Sequence, residues 1–137
     1  MALVKYIDEA QASDRVKAVY QDIKATRGIE TINFFWQALA NDPSTLERTW
    51  ASLKEIMAPD GALDPLTKEL IYVAVSITNG CDYCTVSHLA AARKAGLSAE
   101  MRNELLAIVG MANETNRLAS GYQVDVDPAF HQAVLDL

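Results

Sequence analysis

Two cysteines and a histidine are spaced so that a single helix would carry all three on one face. Cys81, Cys84 and His88 follow one another at intervals of three and four residues, and an α-helix turns about 100° per residue, so the three side chains fall within roughly 60° of one another. Asn79-Gly80 just before them is a helix-stop signal. Both cysteines are therefore expected in the first turn of a new helix, where unpaired N–H groups and the helix dipole favour a thiolate and lower its pKa.

Glu69 is expected to lie opposite His88. It belongs to the preceding helix, which Asp64-Pro65 opens in an N-cap and first-position arrangement and which should end near Ile77. If the two helices form a hairpin, Glu69 lies about 15 Å and His88 about 10 Å from the turn, at similar heights. The first helix is apolar nearly all round, which predicts a central position and a buried carboxylate that needs a partner.

This four-residue pattern resembles the carboxymuconolactone decarboxylase and AhpD-like alkylhydroperoxidase superfamily. Its peroxidase branch carries Glu, eleven residues, Cys, two residues, Cys, three residues and His, and Glu69, Cys81, Cys84 and His88 match every spacing. The likeness extends more loosely over residues 30 to 120. One departure is Asp82-Tyr83, where some alkylhydroperoxidases have a histidine between the cysteines.

The resemblance implies a peroxidase that needs no cofactor and no metal. It assigns the sulfenic acid to Cys84 and the proton-donor and resolving role to Cys81, with His88 relaying a proton and Glu69 fixing its tautomer. Exposure alone would instead favour attack by Cys81, as in thioredoxin-type CxxC motifs. The implied partners are a hydroperoxide substrate and a dithiol reductant, such as a lipoylated or thioredoxin-like protein, and the implied assembly is a homo-oligomer, a trimer or hexamer.

Three other interpretations of the same residues stay open. In a cofactor-free lactone decarboxylase of the same superfamily, Glu69 and His88 would be the acid–base pair and the cysteines would be incidental. In a metal-binding or redox-sensing module, Cys81, Cys84, His88 and Glu69 would ligate zinc. The cysteines could also simply fill core space, because free cysteine is among the most buried residue types.

The composition of the chain limits which partners and which cellular compartment are expected. The chain has 137 residues, which suits one domain over residues 1–137, and a net charge of -6 without a basic stripe, which argues against nucleic acid and anionic membranes as partners. No apolar run approaches the length of a membrane span and the N-terminus has no signal-like apolar region, so a cytoplasmic protein is expected. Closely spaced cysteines in a reducing compartment indicate redox or metal chemistry.

Periodicity predicts an all-α fold, a bundle of six to eight helices. Apolar stripes with caps and breakers predict helices over residues 13–26, 31–40, 43–58, 65–77, 81–95, 98–112 and 128–134. Residues 113–120 look helical but lack strong apolar periodicity, and residues 122–126 show only a weak alternation. Trp36 and Trp50 are expected in the core or in a subunit interface. The Phe34-Phe35-Trp36 cluster and an apolar fraction of 50% favour a homo-oligomer.

Overall fold

A computed structural model describes residues 2–135, and in that range the chain forms seven α-helices and no β-strand. The predicted all-α class is confirmed, and the helix number lies within the expected six to eight. The weak alternation at residues 122–126 forms no strand. The helices are α1 (Asp14–Arg27), α2 (Phe34–Leu39), α3 (Pro43–Ile56), α4 (Pro65–Thr78), α5 (Asp82–Lys94), α6 (Ala99–Gly121) and α7 (Pro128–Leu135).

The helices begin where short polar side chains cap them. The Asp64 carboxylate accepts the Thr67 N–H at 3.0 Å, and the Ser98 hydroxyl accepts the Met101 N–H at 3.1 Å. Pro65 takes the first position of α4, where its missing N–H costs no hydrogen bond. These caps account for the agreement between the predicted and observed starts of α4 and α6.

The chain divides between Gly61 and Ala62 into two compact units, an N-terminal unit with α1–α3 and a C-terminal unit with α4–α7. The expectation that residues 1–137 make one domain stays a prediction. In the N-terminal unit, Trp36 and Trp50 are buried and meet edge to face with centroids 5.5 Å apart, which places both in the core. Phe34 is 59% exposed, so the aromatic cluster divides between core and surface.

In the C-terminal unit, α4 packs against α5 and α6. Val73 and Ser76 are buried on its inner side, whereas Ile71 and Val75 are about half exposed. The apolar surface that predicts a central position for α4 is therefore covered on one side, by α5 and α6, and is partly exposed on the other in the single chain. None of the helices in residues 2–135 is both long and apolar enough to cross a bilayer.

Candidate active site

The turn between α4 and α5 fixes the position of the first cysteine. Gly80 has a left-handed backbone with φ of 69°, a conformation that glycine adopts without steric cost. The Gly80 N–H donates to the Ile77 carbonyl at 3.1 Å and the Cys81 N–H donates to the Ser76 carbonyl at 2.9 Å. These bonds close the end of α4 and place Cys81 at the start of the returning helix.

Cys81 is the N-cap residue of α5, and its sulfur is the hydrogen-bond acceptor that a serine or aspartate oxygen usually provides at this position. Its Sγ accepts the backbone N–H of Cys84 at 3.3 Å. Both thiols are free and partly buried. The first sulfur of the motif therefore lies at a helix N-terminus, with a backbone N–H directed at it.

The second cysteine behaves differently from the sequence-based expectation. Burial, and then the hydrogen bond and charge of the neighbouring Cys81 sulfur, raise the pKa of Cys84 to about 11, and its own backbone N–H opposes this only weakly. The predicted lowering of the pKa is therefore wrong for Cys84. The physical reason is that burial disfavours the charged thiolate, and the hydrogen bond and charge of the Cys81 sulfur add to that effect.

Glu69 and His88 meet across the α4–α5 hairpin. The Nδ1 atom of His88 lies 2.6 Å from Oε2 of Glu69, and the side chains are only 13% and 17% exposed. The carboxylate accepts, so Nδ1 carries the hydrogen and Nε2 remains available for a second partner. The partner that the sequence required for a buried carboxylate at Glu69 is thus present.

Tyr72 is a member of this cluster that the sequence analysis missed. Its ring stacks on the imidazole of His88, with centroids 3.6 Å apart and an interplanar angle of 17°. Tyr72 follows Glu69 by three residues on α4, and residues at that spacing share a helix face. The i, i+3 rule applied to Glu69 was the signal that could have found it.

The four motif residues do not gather around one point as metal ligands. Among residues 2–135, no group of three or more His, Cys, Asp or Glu side chains is placed to hold a metal ion. The geometry instead separates into a thiol pair at the start of α5 and an imidazole–carboxylate pair between α4 and α5. The zinc interpretation draws no support from this arrangement.

The sequence matches one described family. The model of the "Carboxymuconolactone decarboxylase family" matches residues 43–125, a range that contains Glu69, Cys81, Cys84 and His88. It begins at the first residue of α3 and extends past the end of α6. Both helices of the hairpin, with the thiol pair and the imidazole–carboxylate pair, therefore lie within the matched part.

Individual relatives carry related names. The chain is 31% identical over 101 residues to "Alkyl hydroperoxide reductase AhpD" of Solibacter usitatus (strain Ellin6076), covering 74% of this chain and 55% of that protein. It is 33% identical over 63 residues to "Uncharacterized protein 4 in cox locus" of Paracoccus denitrificans, covering 46% of this chain and 57% of the relative. The chain thus spans just over half the length of these two relatives.

A solved structure is similar over almost the whole chain. The alkylhydroperoxidase AhpD core from Rhodospirillum rubrum ATCC 11170 is 50% identical, with a TM-score of 0.91, and the match covers 95% of this chain and 97% of that one. The predicted AhpD-like fold is confirmed by this likeness.

Proposed function

The chain belongs to the carboxymuconolactone decarboxylase family, and from that membership we propose that it is a thiol-dependent peroxidase that reduces hydroperoxides through Cys81 and Cys84. The likeness to an alkylhydroperoxidase core supports the peroxidase branch of the family. Glu69 and His88 serve as the proton relay of the proposed reaction.

One observation carries the proposal, namely that the two sulfurs are coupled at a helix N-terminus. The Cys81 sulfur caps α5 through the Cys84 N–H at 3.3 Å, and burial, followed by the hydrogen bond and charge of that sulfur, raises the pKa of Cys84. A peroxidase needs one thiolate to attack and a second thiol close enough to condense with the product. Incidental core cysteines have no need of such coupling.

The first step creates the attacking thiolate and cleaves the peroxide. Cys84 passes its proton to Nε2 of His88, directly or through a water molecule, and the Cys84 thiolate then attacks the O–O bond of the hydroperoxide. A sulfur–oxygen bond forms, the O–O bond breaks, and the released alkoxide takes the proton from Cys81. Cys84 is oxidised to a sulfenic acid and the hydroperoxide is reduced to an alcohol.

The second step removes the sulfenic acid before it is oxidised further. The Cys81 thiolate attacks the sulfur of Cys84, forming the disulfide and releasing hydroxide, which leaves as water when a proton arrives from the His88 imidazolium. The carboxylate of Glu69, 2.6 Å from Nδ1, stabilises that imidazolium. His88 lies four residues after Cys84 on α5, one helical turn away on the same side.

A dithiol then completes the cycle. Its first thiolate attacks the protein disulfide and its second thiol resolves the mixed disulfide, so the dithiol is oxidised as Cys81 and Cys84 are reduced. We propose a lipoylated or thioredoxin-like protein as this donor. Such donors are kept reduced in the cytoplasm, which is the compartment proposed for this chain.

The proposed assembly is a homo-oligomer, a trimer or hexamer. Large apolar side chains are exposed along the C-terminal unit of the single chain, among them Ile108, Met111, Tyr122, Phe130 and Val134. Exposed apolar side chains in such number favour contact with another chain. A closed assembly of identical chains would cover it.

A lactone decarboxylase is the second candidate, and the Glu69–His88 pair favours it. A carboxylate and an imidazole 2.6 Å apart in a partly buried position can carry acid–base chemistry without any thiol. In that case the cysteines contribute nothing to turnover. The two candidates therefore differ in their dependence on Cys84.

The proposal is tested by turnover of the metal-free protein with a hydroperoxide and dihydrolipoamide. Wild-type protein should consume the peroxide, and Cys84→Ser should lose that activity, because no sulfenic acid can form. The same two proteins are assayed with a muconolactone substrate. A different result would establish the decarboxylase instead. In that case wild-type protein leaves the peroxide unconsumed but turns over the lactone, and Cys84→Ser keeps the lactone turnover.

A further inference from the structure

Tyr72 and Glu69 hold the same imidazole from one face of α4. The Tyr72 ring lies against the His88 ring with centroids 3.6 Å apart and an interplanar angle of 17°. Glu69, one turn earlier, accepts from Nδ1 of the same ring at 2.6 Å. His88 is therefore contacted on one edge by a carboxylate and on one face by an aromatic ring.

These two contacts restrain different motions of the imidazole. A hydrogen bond at Nδ1 fixes one edge of the ring but leaves it able to swing about the hydrogen-bond axis. A stacked ring on the face fixes the plane and so prevents that swing. Only the two contacts together fix the direction in which Nε2 points.

We infer that Tyr72 is a positioning residue for the proton relay, acting through its ring face to hold the His88 imidazole in the plane that presents Nε2. This inference rests on the proposed function and deepens it. The face of a tyrosine ring also attracts a cation, so the ring contact is suited to an imidazole that carries positive charge while it holds the relayed proton. Two titratable groups of α4, Glu69 and Tyr72, contact the His88 ring, and Cys84 precedes His88 by four residues on α5.

Substitutions at Tyr72 distinguish the contribution of the ring face from that of the hydroxyl and from that of side-chain packing. Tyr72→Phe keeps the face, and Tyr72→Leu removes it. Tyr72→Met, with a flexible side chain that fills similar space, replaces the leucine variant if that variant does not fold. Tyr122→Leu is the matched control, because Tyr122 lies in the same unit and is 79% exposed.

The first measurement is the rate of reaction of reduced protein with hydroperoxide across pH. Tyr72→Leu should react roughly three- to tenfold more slowly at neutral pH, the range expected for loss of a partly desolvated cation–π contact. Tyr72→Phe and Tyr122→Leu should stay within about twofold of wild type. Adding Tyr72→Leu to His88→Ala should slow the reaction no further, since the stack acts only through His88.

The second measurement does not depend on activity. The chain has only two histidines, so NMR resolves the His88 ring from that of His131. Tyr72→Leu should move the His88 ring protons downfield as the shielding ring is lost, and the tautomer signature should become mixed. Tyr72→Phe should preserve both features, and His131 should be unchanged throughout.

The outcomes separate the inference from the proposed function. If wild-type protein fails to react with hydroperoxide, the proposed function is wrong. The NMR comparison then still decides whether Tyr72 positions His88. Unchanged His88 resonances in Tyr72→Leu or Tyr72→Met overturn the inference. The inference is also overturned if Tyr72→Leu slows the reaction as much on the His88→Ala background as in wild type, because Tyr72 then has a packing role alone.

Discussion

Replacing Cys81 with serine should make Cys84 easier to ionise. Serine is a good N-cap residue, so the start of α5 is kept while the competing sulfur is removed. Burial is the largest cause of the raised pKa of Cys84, and the hydrogen bond and charge of the Cys81 sulfur add to it; Cys81→Ser removes that sulfur and its charge. Burial remains as a cause, so the pKa of Cys84 should fall from about 11 without dropping below its ordinary value of 9.0.

The size of the effect follows from the two pKa values. They are two pH units apart, so the thiolate fraction of Cys84 at neutral pH differs by about a hundredfold between the two limits. Cys81→Ser should therefore raise the thiolate fraction of Cys84 by up to about a hundredfold. The ultraviolet absorbance of the thiolate and the rate of alkylation by iodoacetamide, each measured across pH, report this fraction.

The Cys84 thiol should titrate near pH 11 in wild-type protein and at lower pH in Cys81→Ser. Cys84→Ser is the control that reports Cys81 alone. A single step near pH 11 in Cys81→Ser would refute the reasoning, since burial alone would then account for the whole shift.

The same coupling predicts how stability depends on pH. The pKa of Cys84 is higher in the folded chain than in the unfolded one, so the folded state binds more protons between pH 9.0 and about 11. The contribution of this group to the free energy of unfolding is complete below that window and is lost as pH rises through it. Urea titrations at several pH values should show a shallower loss for Cys81→Ser than for wild type.

Three further predictions address the pair, the relay and the assembly. Mild peroxide should convert Cys81 and Cys84 into an intramolecular disulfide, seen by intact mass as loss of two hydrogens, whereas two stable sulfinic acids would exclude a resolving thiol. His88→Ala should slow the reaction with peroxide at neutral pH about a hundredfold or more, with partial recovery at high pH, and Glu69→Gln should slow it less. A folded His88→Ala variant that reacts as fast as wild type would remove His88 from the mechanism. Light scattering at micromolar concentration should report a trimer or hexamer, and a monomer of 15.0 kDa would contradict that assembly.

Much of the hairpin was predictable because local rules act strongly there. Asp64-Pro65 marks the start of α4, and Asn79-Gly80 marks its end, where Gly80 adopts the left-handed conformation that the signal implies. With both ends fixed, the rise per residue predicts that Glu69 and His88 meet, and their atoms lie 2.6 Å apart. Spacing alone was sufficient for this pair.

Other properties depend on what lies around each residue in space. The pKa of Cys84 rises because burial and a second sulfur outweigh the helix terminus, and the sequence pattern does not report how those opposing effects balance. Ile71 and Val75 show that an apolar helix surface predicts the need for cover without showing what covers it. Tyr72 was missed because an aromatic residue in an apolar helix is most often core packing.

The most direct test of the proposed function is to trap the product of peroxide attack. Reduced Cys81→Ser protein is mixed with one equivalent of an alkyl hydroperoxide in the presence of dimedone, which reacts with sulfenic acids, and the adduct is located by peptide mass spectrometry. The proposed function predicts one dimedone adduct, on Cys84, and in wild type a disulfide with no adduct. Unmodified Cys84 alongside unconsumed peroxide would contradict it.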